Sequence, residues 1–362
     1  MASLRTAFRP LTLFAAALAV VATANAGDRE ARQWLERMSE ALATRNYEGR
    51  FFHLRDSRSE AMRIIHRVDR GKVTERLVSL DGSGREIIRN QSEVIFYLPD
   101  RRTVLVEKRT DANTLLAAVP SYNEQLEAHY NIERGPFTKA LGRRTQVILV
   151  QPRDQFRYGY KLWLDDETAM PLKSQLCDRE GKVIEQILFA ELNFRDRIPA
   201  DALKPSISGE GFRWIRQDVQ QPQMAGAQVN WGAIRLPAGF RLTAWKVQFI
   251  AGSNVPVQHL VYSDGLASVS VFIEPADPQS QPMRGLAQVG GAFAFSRALD
   301  GHQVTAVGEV PPVTVEAIAA SVTKEERVGE DDKQEEPARA AQPAPATQPP
   351  ALSQQPGSPP PR

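Results

Sequence analysis

The sequence predicts an α+β protein, mainly antiparallel β, in two domains. Three observations predict it. Short alternating apolar segments recur about every 10–12 residues with turn residues between them, the pattern of an antiparallel sheet or open barrel. One amphipathic helix precedes these segments and another follows them. Between the halves lies a stretch, 196–230, with no hydrophobic period and with Pro199, Pro205, Gly209, Gly211, Pro222 and Gly226.

In chain order, Arg5 and Arg9 precede an apolar run, Leu11–Ala22, and Ala24-Asn25-Ala26 has the form of a cleavage site. Residues 1–26 are therefore expected to be a secretory signal peptide, with an apolar run too short to span a bilayer comfortably. Asp28 is the expected N-cap of a helix reaching Thr44, with Trp34, Leu35, Met38, Ala41 and Leu42 on one stripe. Strands are expected at Arg50–Leu54, Met62–Val68, Val73–Leu80, Glu86–Arg89, Val94–Leu98 and Thr103–Lys108. Asp69-Arg70-Gly71, Asp81-Gly82-Ser83-Gly84 and Pro99-Asp100 supply turns between them. Short helical pieces are expected at Thr114–Val119 and Tyr122–Tyr130. Strands resume at Tyr130–Arg134, Thr145–Gln151, Arg157–Leu164, Leu172–Asp178 and Lys182–Phe194. In Arg157–Leu164, Tyr158, Tyr160, Leu162 and Leu164 share one parity, and Arg157, Gly159, Lys161 and Trp163 share the other. That is a strand with one buried face, and the leading helix is its natural cover.

The first domain is read as 27–195 and the stretch 196–230 as a linker with one short strand, Phe212–Ile215. The second domain, 231–323, is expected to hold strands Phe240–Ile250, Val257–Ser263, Ala267–Glu274, Gly291–Leu299 and His302–Glu309. A helix at Pro312–Val322, capped by Thr314, turns Val315, Ile318, Ala319 and Val322 to the sheet. From Lys324 the apolar content falls and prolines accumulate. Residues 324–362 are expected to be disordered, either a solvated spacer or a Pro-rich docking segment.

Composition excludes several function classes. The chain carries 45 basic and 43 acidic side chains, a net charge of +2, and the two leader arginines account for the excess. Such balance gives no reason to bind nucleic acid. Cys177 is the only cysteine, so no intrachain disulfide is available; no local base would activate it as a nucleophile. His53, His66, His129, His259 and His302 lack metal-ligand spacing. No G-x-S-x-G elbow and no phosphate-cradling glycine loop occurs. No cofactor, metal or catalytic residue is predicted.

What remains is binding. Val94–Leu98, Val147–Val150 and Ile187–Phe189 are apolar on both faces, which fits either ordinary packing on both sides or a cavity. Ile95, Tyr97, Tyr158, Tyr160, Leu162 and Leu164 are the candidate lipid-lining residues. Arg101, Arg102, Lys108 and Arg109 are candidates for lipid phosphates, or else a solvated basic face.

The letters themselves go further. Gln151-Pro152-Arg153-Asp154, Arg157-Tyr158-Gly159-Tyr160, Leu162-Trp163-Leu164-Asp165 and Pro171-Leu172-Lys173-Ser174 follow one another in the first domain. Leu236-Pro237-Ala238-Gly239-Phe240, Tyr262-Ser263-Asp264-Gly265-Leu266-Ala267 and Ser270-Val271-Phe272-Ile273-Glu274-Pro275 follow in the second. Together with Trp34-Leu35, His66-Arg67-Val68 and Glu75-Arg76-Leu77, and in this order, they resemble the MucB/RseB family of periplasmic regulators of the envelope-stress sigma factor. The resemblance covers Trp34 to Val322. It implies a first domain like the LolA and LolB lipoprotein carriers, an unclosed barrel with helices, and a smaller second sheet with a helix. It implies a periplasmic protein, not an enzyme, that binds the periplasmic region of a membrane anti-sigma factor of the MucA/RseA type. That partner would be shielded from the site-one protease and freed by lipopolysaccharide or by lipoprotein acyl chains. The positions matched for the partner contact are Tyr262, Asp264, Gly265 and Phe272, although Asp264-Gly265 also suits a hairpin turn and Phe272 a core. The tail after Lys324 and the stretch 222–233 depart from the family pattern. The alternative is a periplasmic lipid or lipoprotein carrier of the LolA type, but such a carrier would end near Phe194. An open sheet edge leaves room for a homodimer.

Overall fold

The structure, a computed structural model, describes residues 29–55, 58–108, 124–217, 231–249, 256–276 and 283–324. Helix α1 spans 29–44. Its stripe of Trp34, Leu35, Met38, Ala41 and Leu42 is buried in one core with Phe51, Ile64, Ile148, Leu162, Leu164 and Leu172. The expected N-cap Asp28 lies outside the described residues.

Twelve strands form the large sheet. They are β1 Tyr47–Arg55, β2 Arg58–Asp69, β3 Lys72–Ser79, β4 Glu86–Arg89, β5 Glu93–Leu98, β6 Thr103–Lys108, β7 Tyr130–Ala140, β8 Arg143–Pro152, β9 Gly159–Asp165, β10 Pro171–Cys177, β11 Val183–Phe194 and β12 Arg213–Gln217. Their order is β12-β6-β5-β4-β3-β2-β1-β11-β10-β9-β8-β7. Two antiparallel meanders thus share a seam between β1 and β11. The outer strands β12 and β7 do not pair with each other, so the sheet is unclosed.

One cross-strand row on this sheet is polar and buried. His66 Nδ1 lies 2.8 Å from a Glu75 oxygen, Arg89 donates to Glu75 at 2.5 Å, and Tyr47 stacks on His66 at 4.6 Å. A buried charge needs such partners. Burial, aided by Glu75, holds the Tyr47 hydroxyl well above its ordinary pKa.

The second domain contains β13 Trp231–Ala233, β14 Arg241–Phe249, β15 Pro256–Ser263, β16 Ser268–Pro275, β17 Gly285–Val289, β18 Ala292–Leu299, β19 His302–Gly308, helix α2 Pro312–Ser321 and β20 Val322–Lys324. Six of these strands form a sheet in the order β14-β15-β16-β19-β18-β17, while β13 pairs with β20. Val315, Ile318 and Ala319 of α2 are fully buried in a core with Phe240, Leu260, Val271 and Val304.

Several expectations are corrected. The first part of the supposed linker is docked on the large sheet. Ile198 and Leu203 pack on Ile65, and Ile207 and Phe212 pack against Val104 and Val106. β12 then adds to β6 in parallel. Thr314 is not the helix N-cap; Pro311 holds that position, and the Thr314 hydroxyl donates instead to the Phe156 carbonyl at 2.7 Å. β13, β17 and β20 were not expected. The helical reading of 114–119 lies outside the described residues, as does the first part of 122–130. Within the latter, Glu124–Ala128 is a short 3-10 turn.

Candidate functional site at the joint between the two sheets

Arg157, one residue before Tyr158 and two before β9, has the parity opposite to Tyr158, Tyr160, Leu162 and Leu164, yet it is 1% exposed. Its guanidinium reaches into the second domain. Nη2 donates to the Ala238 carbonyl at 2.5 Å, and Nη1 lies 3.0 Å from Asp264 Oδ2. Asp154 approaches Nε at 3.1 Å, and the Tyr130 and Phe240 rings stack over the group at 5.6 and 5.3 Å. Asp264, itself 2% exposed, accepts from the Tyr130 hydroxyl at 3.2 Å. Its other oxygen accepts from the Leu266 and Ala267 amides, closing the β15–β16 turn. That turn carries Leu266 onto the core of the first domain.

Gly239 completes the joint. Its φ of +84° favours glycine, and a Cβ there would stand 2.1 Å from His129 Nε2. The three blocks Arg157–Tyr160, Leu236–Phe240 and Tyr262–Ala267, far apart in sequence, therefore meet at one place.

Cavities flank this joint. One of ≈ 290 Å³ lies between the sheets, lined by Tyr130, Tyr158, Tyr160, Ile187 and Leu266 with Glu185 and Glu309. Burial and the nearby Asp178 carboxylate push the Tyr158 hydroxyl up to about 12. Burial, aided by Asp264 for Tyr130 and by Glu185 for Tyr160, raises these two further. All three are neutral donors near pH 7. A second cavity, ≈ 400 Å³, opens over the large sheet between Phe51, Met62, Leu77, Ile87, Phe96 and Ile187, with His53, Glu60, Arg85, Glu86 and Glu185 as its charged or titratable wall groups beside Tyr97. A third, ≈ 830 Å³, is more polar and includes Arg157, Asp178, Lys182 and Phe293.

Glu185 belongs to the walls of both smaller cavities. His53 Nε2 lies 2.9 Å from its Oε1, and Arg55 pairs with its other oxygen. Burial alone would raise this carboxyl. The hydrogen bond from His53 and the charge of Arg55 outweigh that and hold it below the ordinary value.

The expected lipid-lining residues are divided by the structure. Tyr158 and Tyr160 line the cavity at the joint. Leu162 and Leu164 are fully buried beneath α1, so the protein itself fills their face. Ile95 packs with Tyr97, Ile207 and Phe212 on the face covered by the chain after Ile198. Tyr97 reaches the ≈ 400 Å³ cavity while its ring meets Trp214 edge-on at 6.3 Å. Arg101 and Arg102 are exposed in the β5–β6 turn and line none of the three cavities. Lys108 ends β6, and Arg109 lies outside the described residues.

Of the expected partner-contact residues, Tyr262 and Asp264 are buried, Gly265 is exposed, and Phe272 is half-buried on the parity opposite Val269, Val271 and Ile273. Tyr262 is 2% exposed, and its hydroxyl accepts from the Ala233 amide at 2.8 Å. Asp264 is committed to Arg157, and Gly265 is its turn glycine at φ +97°. Phe272 stacks on His259 at 4.4 Å. Sequence reasoning missed Arg157, Arg55, Glu185 and Glu309. The one available signal was an arginine embedded in the Arg157–Tyr160 block and an aspartate in the Tyr262–Ala267 block. Among the described residues, no group of three or more His, Cys, Asp or Glu could hold a metal, and no helix is long and apolar enough to cross a membrane.

Comparison with known proteins agrees with this architecture. The sequence model of the MucB/RseB N-terminal domain matches residues 30–207, and that of the MucB/RseB C-terminal domain matches 225–323. The sigma factor AlgU regulatory protein MucB of Pseudomonas aeruginosa is 33% identical, over 87% of this chain and 96% of its own length. The sigma-E factor regulatory protein RseB of Haemophilus influenzae is 26% identical, over 86% and 96%. Among solved structures, the Pseudomonas aeruginosa MucA/MucB complex superposes with a TM-score of 0.66 at 31% identity, covering 82% of this chain and 99% of that one.

Proposed function

This chain belongs to the MucB/RseB family, and on that premise we propose that it is a periplasmic regulator that binds the periplasmic region of a membrane anti-sigma factor. Bound, it shields that partner from the site-one protease. Lipopolysaccharide or lipoprotein acyl chains release it, and the stress sigma factor follows. The observation that carries this reading is the likeness along nearly all of MucB, crystallised in complex with MucA(peri), at a TM-score of 0.64 and 31% identity. The protein needs no chemistry of its own for this role. Residues 1–26 serve as its export signal.

Release by lipid is a linkage effect: lipid must bind the free form better than the partner-bound form. A coupling of about 1–3 kcal/mol changes partner affinity roughly 5–150-fold. The ≈ 400 Å³ cavity over the large sheet, walled by Phe51, Met62, Leu77, Ile87 and Phe96, suits an acyl chain. Each buried CH₂ contributes about 0.8 kcal/mol.

The test is calorimetry of residues 27–362 with the periplasmic segment of the host's anti-sigma factor, with and without lipopolysaccharide. Tight binding that lipid weakens is the expected result. Lipid binding without anti-sigma affinity overturns the reading in favour of a carrier.

A further inference from the structure

The two domains are joined a second time, away from Arg157. Arg55 ends β1 directly opposite Glu185 on β11. It pairs with Glu185 and reaches Glu309 of the second domain at 2.8 Å. The guanidinium also lies against the β17–β18 turn, where a Cβ on Gly291 would stand 2.3 Å from Nη1. Two separate pieces of the second domain, the turn at Gly291 and the residue after β19, thus hold one side chain of the first.

This contact borders the apolar cavity. Glu185 and its neighbour His53 line the ≈ 400 Å³ space, with Arg85 among its walls. Glu185 also lines the space at the joint, beside Glu309. Arg55 retains 23% side-chain exposure and Glu309 54%. Water, and any anion carried by water, can reach the pair. A phosphate oxyanion binds a guanidinium through paired charge-assisted hydrogen bonds, in direct competition with a carboxylate. An anion seated there also stands beside two carboxylates, and like charges repel.

Building on the proposed lipid-release function, we propose that Arg55 is a clasp between the domains that an anionic lipid headgroup opens. The acyl chain enters the cavity floored by Phe51, Met62 and Ile187, and the phosphate takes Arg55 from Glu185 and Glu309. The second domain then loses its hold at Glu309 and Gly291 and pivots about the buried Arg157–Asp264 pair.

The test measures the distance between spin labels on Cys side chains introduced as Lys72→Cys and Ala287→Cys, both exposed positions, with Cys177→Ser as background. The full mature chain is used. A narrow distribution is expected for the otherwise unchanged protein. Glu309→Gln and Gly291→Ala should each broaden it severalfold without lipid, at unchanged far-ultraviolet dichroism. Short-chain phosphatidylglycerol below its micelle concentration should broaden the parent distribution and add nothing in Glu309→Gln. Octyl glucoside and inorganic phosphate, which lack the charge and the chain respectively, should leave it narrow. Variants indistinguishable from the parent overturn the clasp, whatever calorimetry says of the anti-sigma partner. Broadening by octyl glucoside overturns the headgroup exchange, and broadening by phosphate alone overturns the need for a chain. A narrow distribution with an absent anti-sigma affinity would instead fault the proposed function and leave the clasp standing.

Discussion

Among the arginines that cross between the domains, Arg157 and Arg55 differ in what surrounds them. Arg157 and Asp264 have no exposed side-chain surface, while Arg55 and Glu309 retain 23% and 54%. The buried pair is fixed: removing one partner strands a charge in a medium that cannot solvate it. The half-exposed pair is exchangeable, because water and salt compete for both groups. One contact is therefore suited to hold the domains in register and the other to let go.

The sharpest way to break this contrast is Arg157→Ala, which leaves Asp264 buried and unpaired. A loss of about 3–5 kcal/mol is expected in denaturant unfolding. Replacing both partners, Arg157→Leu with Asp264→Asn, should recover much of that loss, since no charge is then stranded and a side-chain carbonyl still accepts from the Leu266 and Ala267 amides. A double variant as unstable as the single one would mean that the Ala238 and ring contacts dominate instead. Leu266→Ala comes next. It trims a half-buried anchor on the first domain's core and should lower stability by about 1–2 kcal/mol, less than a full core truncation.

A graded effect is expected from acid. Burial, with Lys246 nearby, lowers His259 to about 4. Its folded value lies below its unfolded one. The stabilisation is complete above the ordinary histidine value and is lost as pH falls toward about 4. His259→Phe should flatten that part of the stability profile, and an unchanged slope would remove His259 as its source. Glu185 is also depressed, so its contribution is likewise lost as pH falls, but through the carboxylate range. The smallest effect on stability belongs to Glu309→Gln, within about 1 kcal/mol. A larger loss would place the second clasp in the same class as the first.

Most of the fold was legible because its signals are local. The stripe from Trp34 to Leu42 and the alternation through Tyr160, Leu162 and Leu164 report which side is buried. They do not report what does the burying, and that is why Leu162 and Leu164 read as cavity walls when α1 covers them. β17 escaped notice since all five of its residues are exposed and carry no alternation. β13 and β20 have three residues each, too short for any period. Arg157 was misread for a different reason. Its parity is opposite to that of the tyrosine and leucine face, and besides the local Asp154 its burial rests on Ala238 and on Asp264, more than a hundred positions later. Pairings of that range leave no trace in local pattern.

The seam between the two meanders bears on how the chain reaches this state. Arg50 on β1 bonds Glu191 on β11, 141 residues away. β1 can join β2 as soon as both exist, but its other edge must wait for β11. Contacts so distant in sequence slow folding, because the loop-closure entropy is lost before the ladder offsets it. Each meander is local, so the long-range seam is expected to form after them. Until it does, both β1 and β11 offer free edges to other chains. Refolding should accordingly grow slower and more prone to aggregation with protein concentration, and a circular permutant that brings β11 next to β1 should refold faster at equal stability.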